Sequence, residues 1–387
     1  MTRSHVLSFR RESSVVGLGA ALGVLVLSWV AVRHSFYAHQ VLGDTPFYKG
    51  YAELVRQGLV PYRDFSFEYP PGALEVMVPP AYVAGYATAF GWLMALCAAA
   101  TVVVVYPERP VAAFLVALSP LFVGALVLNR FDYWPSFLVV LAIVLLLHEH
   151  HQAGWAALGL AIGVKLWPAA IVPLAVVWTY RRGGRATLER SVAWAAAFVL
   201  AVFVPFAVTG WHGLWASVHG QLTRPLQVET LGAALLKVGH HAGEVASYTT
   251  QAVTGVAVRP LTWLTGVTLV CVLIAIWIGF ARGDADRDEL IRHTAAAAAA
   301  VVAFGRVLSP QYTIWLVPLV ALVRGRRGAL AIGLLVAAAV MAQVWYPARY
   351  LAYAYHDHLA WLVLLRDAVL VALVAVLALP KRVLRLA

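Results

Sequence analysis

Residues 43–72, GDTPFYKGYAELVRQGLVPYRDFSFEYPPG, set Asp44, Glu53, Asp64 and Glu68 among Tyr48, Tyr51, Tyr62 and Tyr69. A carboxylate within hydrogen-bond reach of a substrate hydroxyl can take its proton as that oxygen attacks. Asp44 is the first carboxylate after the apolar run 15–32, so it should lie close to a membrane surface. The same residues also fit a purely structural role. Asp44 would then cap a short helix beginning at Thr45 or Pro46, with Tyr48, Tyr51, Leu54 and Val55 on one face and Gly58 as its stop. Both readings are open at this level.

The cations form a second group. Lys165 and Arg306 stand alone between apolar half-helices, where a cation marks a functional site by default and takes a phosphate or a carboxylate as partner. Arg130, in NRFDYWP, has Asp132 two residues on, so a local ion pair competes with a ligand role. Arg366 and Asp367 lie in the last apolar run; sequence neighbours diverge by about 100° on a helix, so each is expected to find structural partners on other helices. HEHH at 148–151 has metal-ligand residue types without the helical His-Glu-x-x-His spacing. His240, His241, His356 and His358 fall in loops. No metal site and no cofactor is called for, and neither a Gly-rich phosphate loop nor a nucleophile elbow is present.

The elements that must position these residues are membrane helices. Of the 387 residues, 62% are hydrophobic and 12% charged, against roughly 45–50% and 25% in ordinary soluble domains. That composition cannot coat a water-soluble globule of this length. Cys97 and Cys271 sit in separate apolar runs and suggest neither a disulfide framework nor a metal spacing. The net charge of +11 comes from arginines clustered in short loops, as the positive-inside rule requires, so nucleic acid is not an expected partner. Run 15–32 follows Arg3, Arg10 and Arg11 and exceeds the roughly 7–15 residues of a cleavable signal core, which makes it a retained first span. The excess of arginine over lysine and the abundant alanine are the compositional bias of a GC-rich bacterial genome, and the expected location is a bacterial plasma membrane.

Apolar runs of spanning length, about 20 residues, occur near 15–33, 111–128, 132–149, 190–209, 261–280, 329–346 and 359–379. Run 73–105 is one tilted helix or a short helix plus a span, with Pro79, Pro80 and Gly85 as break points. Runs 153–179 and 293–323 carry Lys165 with Pro168, and Arg306 with Pro310, at their centres. Bending both at the basic residue puts the loops 181–190, 282–292 and 324–327, and the tail Lys381, Arg382 and Arg385, on the cytoplasmic side. The result is an all-α polytopic membrane protein, one integral domain over 1–387 with about twelve transmembrane helices and both termini cytoplasmic. Keeping 153–179 whole would instead leave Lys165 at mid-membrane, which is costly. The outer face then carries a first loop at 34–71 with short interfacial helices, the turn 129–134, both basic bends, a long segment 210–258 and the turn 347–358. Irregular backbone at membrane depth lines protein or a wet cavity, which puts a site near the outer leaflet.

PYRDFSFEYPPG behind a first-loop Asp, then GVKLWPAAIVPL, QLTRPLQVETLGA and SPQYTIWLVPL in that order, resemble the polytopic glycosyltransferases of the GT-C class that use polyprenyl-phosphate sugars. The resemblance is to glycosyltransferase family 87, which includes phosphatidylinositol mannoside mannosyltransferases and related arabinan-forming enzymes, and spans about residues 15–323. It implies Asp44 as catalytic base and a polyprenyl-phosphate donor carrying mannose in the first instance, or a pentose. The implied acceptor is a lipid-linked glycan outside the cytoplasm, reached by an inverting single displacement among membrane lipids. Lys165, Arg306 and Arg130 become candidates for the donor phosphate. Arg63, Asp64, Glu68, Tyr69, Tyr48, Gln311, Tyr312, Arg224 and Glu229 become candidates for substrate contact. Glu68 would bind sugar hydroxyls or hold Arg63. Some relatives carry a His pair where this chain reads Gln311 and Tyr312. A transporter or lipid flippase is the rival class, since it too uses broken helices and intramembrane charges. The two bent segments share too little to argue the internal duplication common there.

Overall fold

The computed structural model describes residues 3–35, 43–243, 245–247, 251–356 and 358–380. The basic tail at Lys381, Arg382 and Arg385, the stretch 36–42 of the first expected outer loop, and the side chains of Arg3, Arg10 and Arg11 lie outside that description. The described chain is almost entirely helical, with one short antiparallel hairpin pairing Val245–Ser247 and Gln251–Val253.

Among the described residues, six helical segments are long and apolar enough to cross a membrane: Ser14–Arg33, Tyr86–Val105, Trp167–Thr223, Val258–Arg282, Gly325–Trp345 and Ala360–Ala378. The chain is therefore a polytopic membrane protein; the expectation of about twelve spans goes beyond these six. Trp167–Thr223 is itself no single rod. Gly184 (φ 70°) and Gly210 (φ −153°, ψ 49°) leave helical geometry, dividing it into pieces near 172–183, 185–209 and 211–223. A left-handed φ is one that glycine adopts without steric cost.

Two runs of spanning length form shorter helices than expected. Pro110–Val123 has 14 residues and Tyr133–Leu147 has 15, about 21 and 22 Å at 1.5 Å per residue against a hydrocarbon core of about 30 Å. Gly124, at φ 70°, ends the first of them. A single turn, Leu126–Asn129, follows, and Arg130 is extended. The connector 124–132 thus turns into the protein, where Arg130 and Asp132 are both buried.

Three further interruptions fall where lone cations or glycine meet proline-rich sequence. Run 73–105 breaks at Gly85 (φ 76°), which separates the short helices of 71–82 from the 20-residue helix Tyr86–Val105. His151–Val164 ends at Lys165, whose backbone is extended, and a turn at Trp167–Ile171 starts the next helix. Arg287–Phe304 ends at Gly305, and Pro310–Tyr312 leads into Thr313–Leu322. Proline suits the restarts at Trp167 and Pro310 because the first helical residues need no backbone donor.

At the opposite ends of these helices, arginines satisfy terminal carbonyls that have no partner within the helix. Arg109 donates to Ala321 and Val323, Arg287 to Leu147, Arg181 to Ala281 and Gly283, and Arg292 to Leu377. The arginines that bias the loops therefore also close helix C-termini. Arg366 finds the expected partners on other elements, whereas Asp367 departs from expectation by pairing with its sequence neighbour. The two pair with each other at 2.7 Å, and Arg366 also donates to the Glu229 carbonyl at 2.9 Å and lies over the Trp345 ring.

Candidate active site

A cavity of about 880 Å³ opens where the breaks at 124–132, 165–171 and 305–312 meet the first loop and the segment 221–229. Of the sequence candidates it gathers Asp44, Tyr48, Glu68, Tyr69, Arg130, Lys165, Arg224, Glu229, Arg306, Gln311 and Tyr312 into one lining.

Asp44 holds the N-cap position of the helix Thr45–Arg56, yet its side chain makes no capping bond. The structural reading of Asp44 as a cap is corrected by this geometry. One helical turn carries Tyr48 back over it, and the Tyr48 hydroxyl donates to Asp44 Oδ2 at 3.2 Å. Arg130 forms an ion pair with the same oxygen and donates to the Tyr346 hydroxyl at 2.6 Å. The Asp44 side chain keeps 26% of its surface exposed, so an oriented carboxylate remains accessible from the cavity.

Arg130 is not paired with Asp132, contrary to the local ion pair that sequence proximity suggests. Asp132 Oδ1 accepts from Lys165 Nζ and from Trp315 Nε1, each at 2.6 Å. Lys165 Nζ lies 4.6 Å from the Phe131 ring centroid, 4.8 Å from Trp315 and 5.2 Å from Tyr312. Such an aromatic cage holds a desolvated cation by its ring quadrupoles. An ammonium has three donors, and the Asp132 contact uses one.

The first-loop segment 62–72 is clamped at both ends. A Cβ at Gly72 would lie 2.7 Å from the Gly163 carbonyl oxygen, and one at Gly213 would collide with the Tyr62 carbonyl. Only glycines allow this approach. Glu68 pairs with Arg224, and its carbonyl accepts from Gln221 Nε2 at 2.6 Å. Glu68 therefore does not hold Arg63. Arg63 instead chelates Asp64 at 2.8 and 2.9 Å outside the cavity lining, and that guanidinium, with the Val60 N–H, holds the exposed Asp64 carboxyl down at about 2. Tyr48, Tyr69 and Phe131 pack edge to face, with centroids 5.1–5.8 Å apart.

Arg306 is held lightly: its Nη1 donates to the Leu222 carbonyl at 3.4 Å, and it lies 6.0 Å over the Trp263 ring. Among the described residues it has no carboxylate partner. Tyr312 stacks on Trp315 with centroids at 4.0 Å. Glu229 is 1% exposed. Burial pushes its carboxyl up to about 7, while the Arg366 guanidinium and the Trp345 indole N–H oppose that rise. Asp132, Gln227, Trp167, Tyr346 and Tyr350 also line the cavity and are not among the sequence candidates for substrate. Of these only Asp132 carried a signal, as the carboxylate beside Arg130.

The arrangement is an open carboxylate facing several cations in one enclosed space, suited to an anionic ligand beside a hydroxyl that loses its proton. No group of three or more His, Cys, Asp or Glu side chains that could hold a metal ion comes together among the described residues. Residues 67–310 match the model of glycosyltransferase family 87. That stretch includes Glu68, Arg130, Asp132, Lys165, Arg224, Glu229 and Arg306, and it begins after Asp44. No curated protein matches the chain.

Proposed function

The chain belongs to glycosyltransferase family 87 and is a membrane glycosyltransferase, and we propose that it transfers a sugar, mannose first, from a polyprenyl-phosphate donor to a lipid-linked glycan. The reaction takes place on the extracytoplasmic side of a bacterial plasma membrane. The observation that carries this reading is the placement of Asp44 in the same cavity as Lys165, Arg306, Arg224 and Arg130.

Asp44 accepts the proton of the acceptor hydroxyl as that oxygen bonds to the anomeric carbon. On the opposite face the carbon–oxygen bond to the phosphate breaks, and its electron pair stays with the departing phosphate. The anomeric centre inverts, and positive charge develops on the ring as in glycosidase transition states. Arg130, shared between Asp44 and Tyr346, orients the base. Lys165 and Arg306 stabilise the leaving phosphate through charge-assisted hydrogen bonds. The prenyl tail stays in lipid while its headgroup enters among these cations, and no cofactor takes part.

The test is transfer of radiolabelled sugar from polyprenyl-phosphate-mannose to an extracted lipid acceptor pool, with purified parent and Asp44→Asn run side by side. Transfer by the parent and a loss of about 10²-fold or more in a folded Asn variant is expected. Equal transfer by both would remove Asp44 from the mechanism. If the parent transfers neither mannose nor arabinose, the donor class is wrong.

A further inference from the structure

We propose that Asp132, Gln227 and Gln311 form a hydroxyl-binding subsite that takes the sugar of the donor; this rests on the lipid-phosphate reading given above. Among the described residues, the three side chains are buried, at 0, 2 and 8% exposure, and all line the cavity. Each nevertheless presents a buried oxygen with no hydrogen-bond partner: Asp132 Oδ2, Gln227 Oε1 and Gln311 Oε1. Leaving a buried acceptor unsatisfied costs about 1–3 kcal/mol, so several of them around one cavity call for a ligand that supplies donors. A phosphate ester has only acceptors, and a prenyl chain has neither donors nor acceptors. A polyhydroxylated ring supplies O–H groups, and those facing a carboxylate make the stronger, charge-assisted bonds.

Asp132 places the bound ring with the donor rather than the acceptor. Its Oδ1 takes both protein bonds, from Lys165 and Trp315, and its Oδ2 takes none. One carboxylate therefore holds the phosphate-directed cation with one oxygen and offers the other to a hydroxyl. A hydroxyl bound there sits next to the phosphate, which is where the ring of a sugar phosphate lies; the acceptor's ring is on the Asp44 side. Trp167 Nε1, a buried donor without a partner on the same lining, adds a contact for a ring or hydroxyl oxygen.

The experiment compares binding of polyprenyl phosphate, polyprenyl-phosphate-mannose and polyprenyl-phosphate-arabinose to the full chain in lipid nanodiscs, by titration calorimetry. The parent is expected to bind a sugar-bearing lipid about tenfold or more tightly than the bare phosphate. Asp132→Asn keeps an oxygen for Lys165 and Trp315 but turns the free acceptor into a donor; it should lose that increment, scored as the ratio of sugar-bearing to bare-lipid affinity within the variant, because uncharging the partner of Lys165 also changes its affinity for bare polyprenyl phosphate. Gln311→Met should lose part of the increment, and it carries the test if the Asn variant does not fold. Retention of the full increment in both variants overturns the subsite. Equal affinity of the parent for all three lipids also overturns it, and leaves the phosphate reading intact. Failure of the parent to bind any of them overturns that reading and the subsite together.

Discussion

Arg130 and Asp132, two residues apart on one connector, face different partners: Arg130 pairs with Asp44, and Asp132 pairs with Lys165. The short helix ending at Val123 makes this possible, because it lets 124–132 turn inward rather than run to the membrane surface. Two ion pairs drawn from distant segments are thereby built on the same few residues. Displacing the connector would disturb Asp44 and Lys165 together.

The first pair should behave as a coupled unit. The Arg130 side chain is 9% exposed and that of Asp44 26%, and removing one partner of a buried pair costs about 3–5 kcal/mol because a charge is left uncompensated. Arg130→Met is expected to lower stability by somewhat less than that range, since Asp44 reaches solvent. Asp44→Asn/Arg130→Met should recover about 1–3 kcal/mol of coupling. Unfolding titrations of the two single variants and the double variant measure it, and additive losses would mean the pair contributes nothing.

How much of this was legible depends on the range of the interaction. Lys165 and Arg306 are readable as breaks because a lone cation ahead of proline cannot continue a lipid-facing helix. Asp44 and Tyr48 are readable as neighbours because four residues make one helical turn. The partner of Arg130 is not readable, because Asp44 reaches it only through tertiary packing. Arg63 misleads for a local reason. Tyr62 takes φ 68°, the chain reverses there, and Arg63 folds onto Asp64 while Glu68 meets Arg224. The lengths of Pro110–Val123 and Tyr133–Leu147 escape an apolar-run reading because hydropathy does not register the left-handed Gly124.

Gly72→Ala tests the clamp on the EYPPG loop. The new methyl would lie 2.7 Å from a backbone oxygen, that of Gly163, so no flexible side chain can move aside. Overpacking of this kind costs about 1–3 kcal/mol. The variant is expected to melt at lower temperature and to lose transfer activity, because Gly163 is two residues from Lys165. An unchanged melting temperature would show that the loop accommodates the methyl.

Glu229 should make stability fall as pH rises. Its carboxyl titrates at about 7 in the folded chain against an ordinary 4.5, so between those values the native state binds the extra proton. Stability then decreases with pH across that window, by on the order of 3 kcal/mol for the whole shift. Thermal melts from pH 4.5 to 8 should show this decline in the parent and a flatter profile in Glu229→Gln. Parallel profiles would assign the pH dependence to other groups.

Lys165 and Arg306 are both assigned to the leaving phosphate, and their variants should nevertheless differ. Lys165 is the cation of a buried pair, with its amine 2.6 Å from Asp132 inside an aromatic cage. Lys165→Met strands the Asp132 carboxylate and should cost about 3–5 kcal/mol of stability as well as activity. Arg306 has one long bond to a carbonyl, so Arg306→Gln should leave the melting temperature within about 2 °C, the shift of a surface substitution. Its effect should appear in transfer, as a fall of about 10-fold or more in kcat/KM for the donor. Measuring the melt and the donor kinetics of both variants separates the two roles; a destabilised Arg306→Gln with normal kcat/KM would make Arg306 a structural residue.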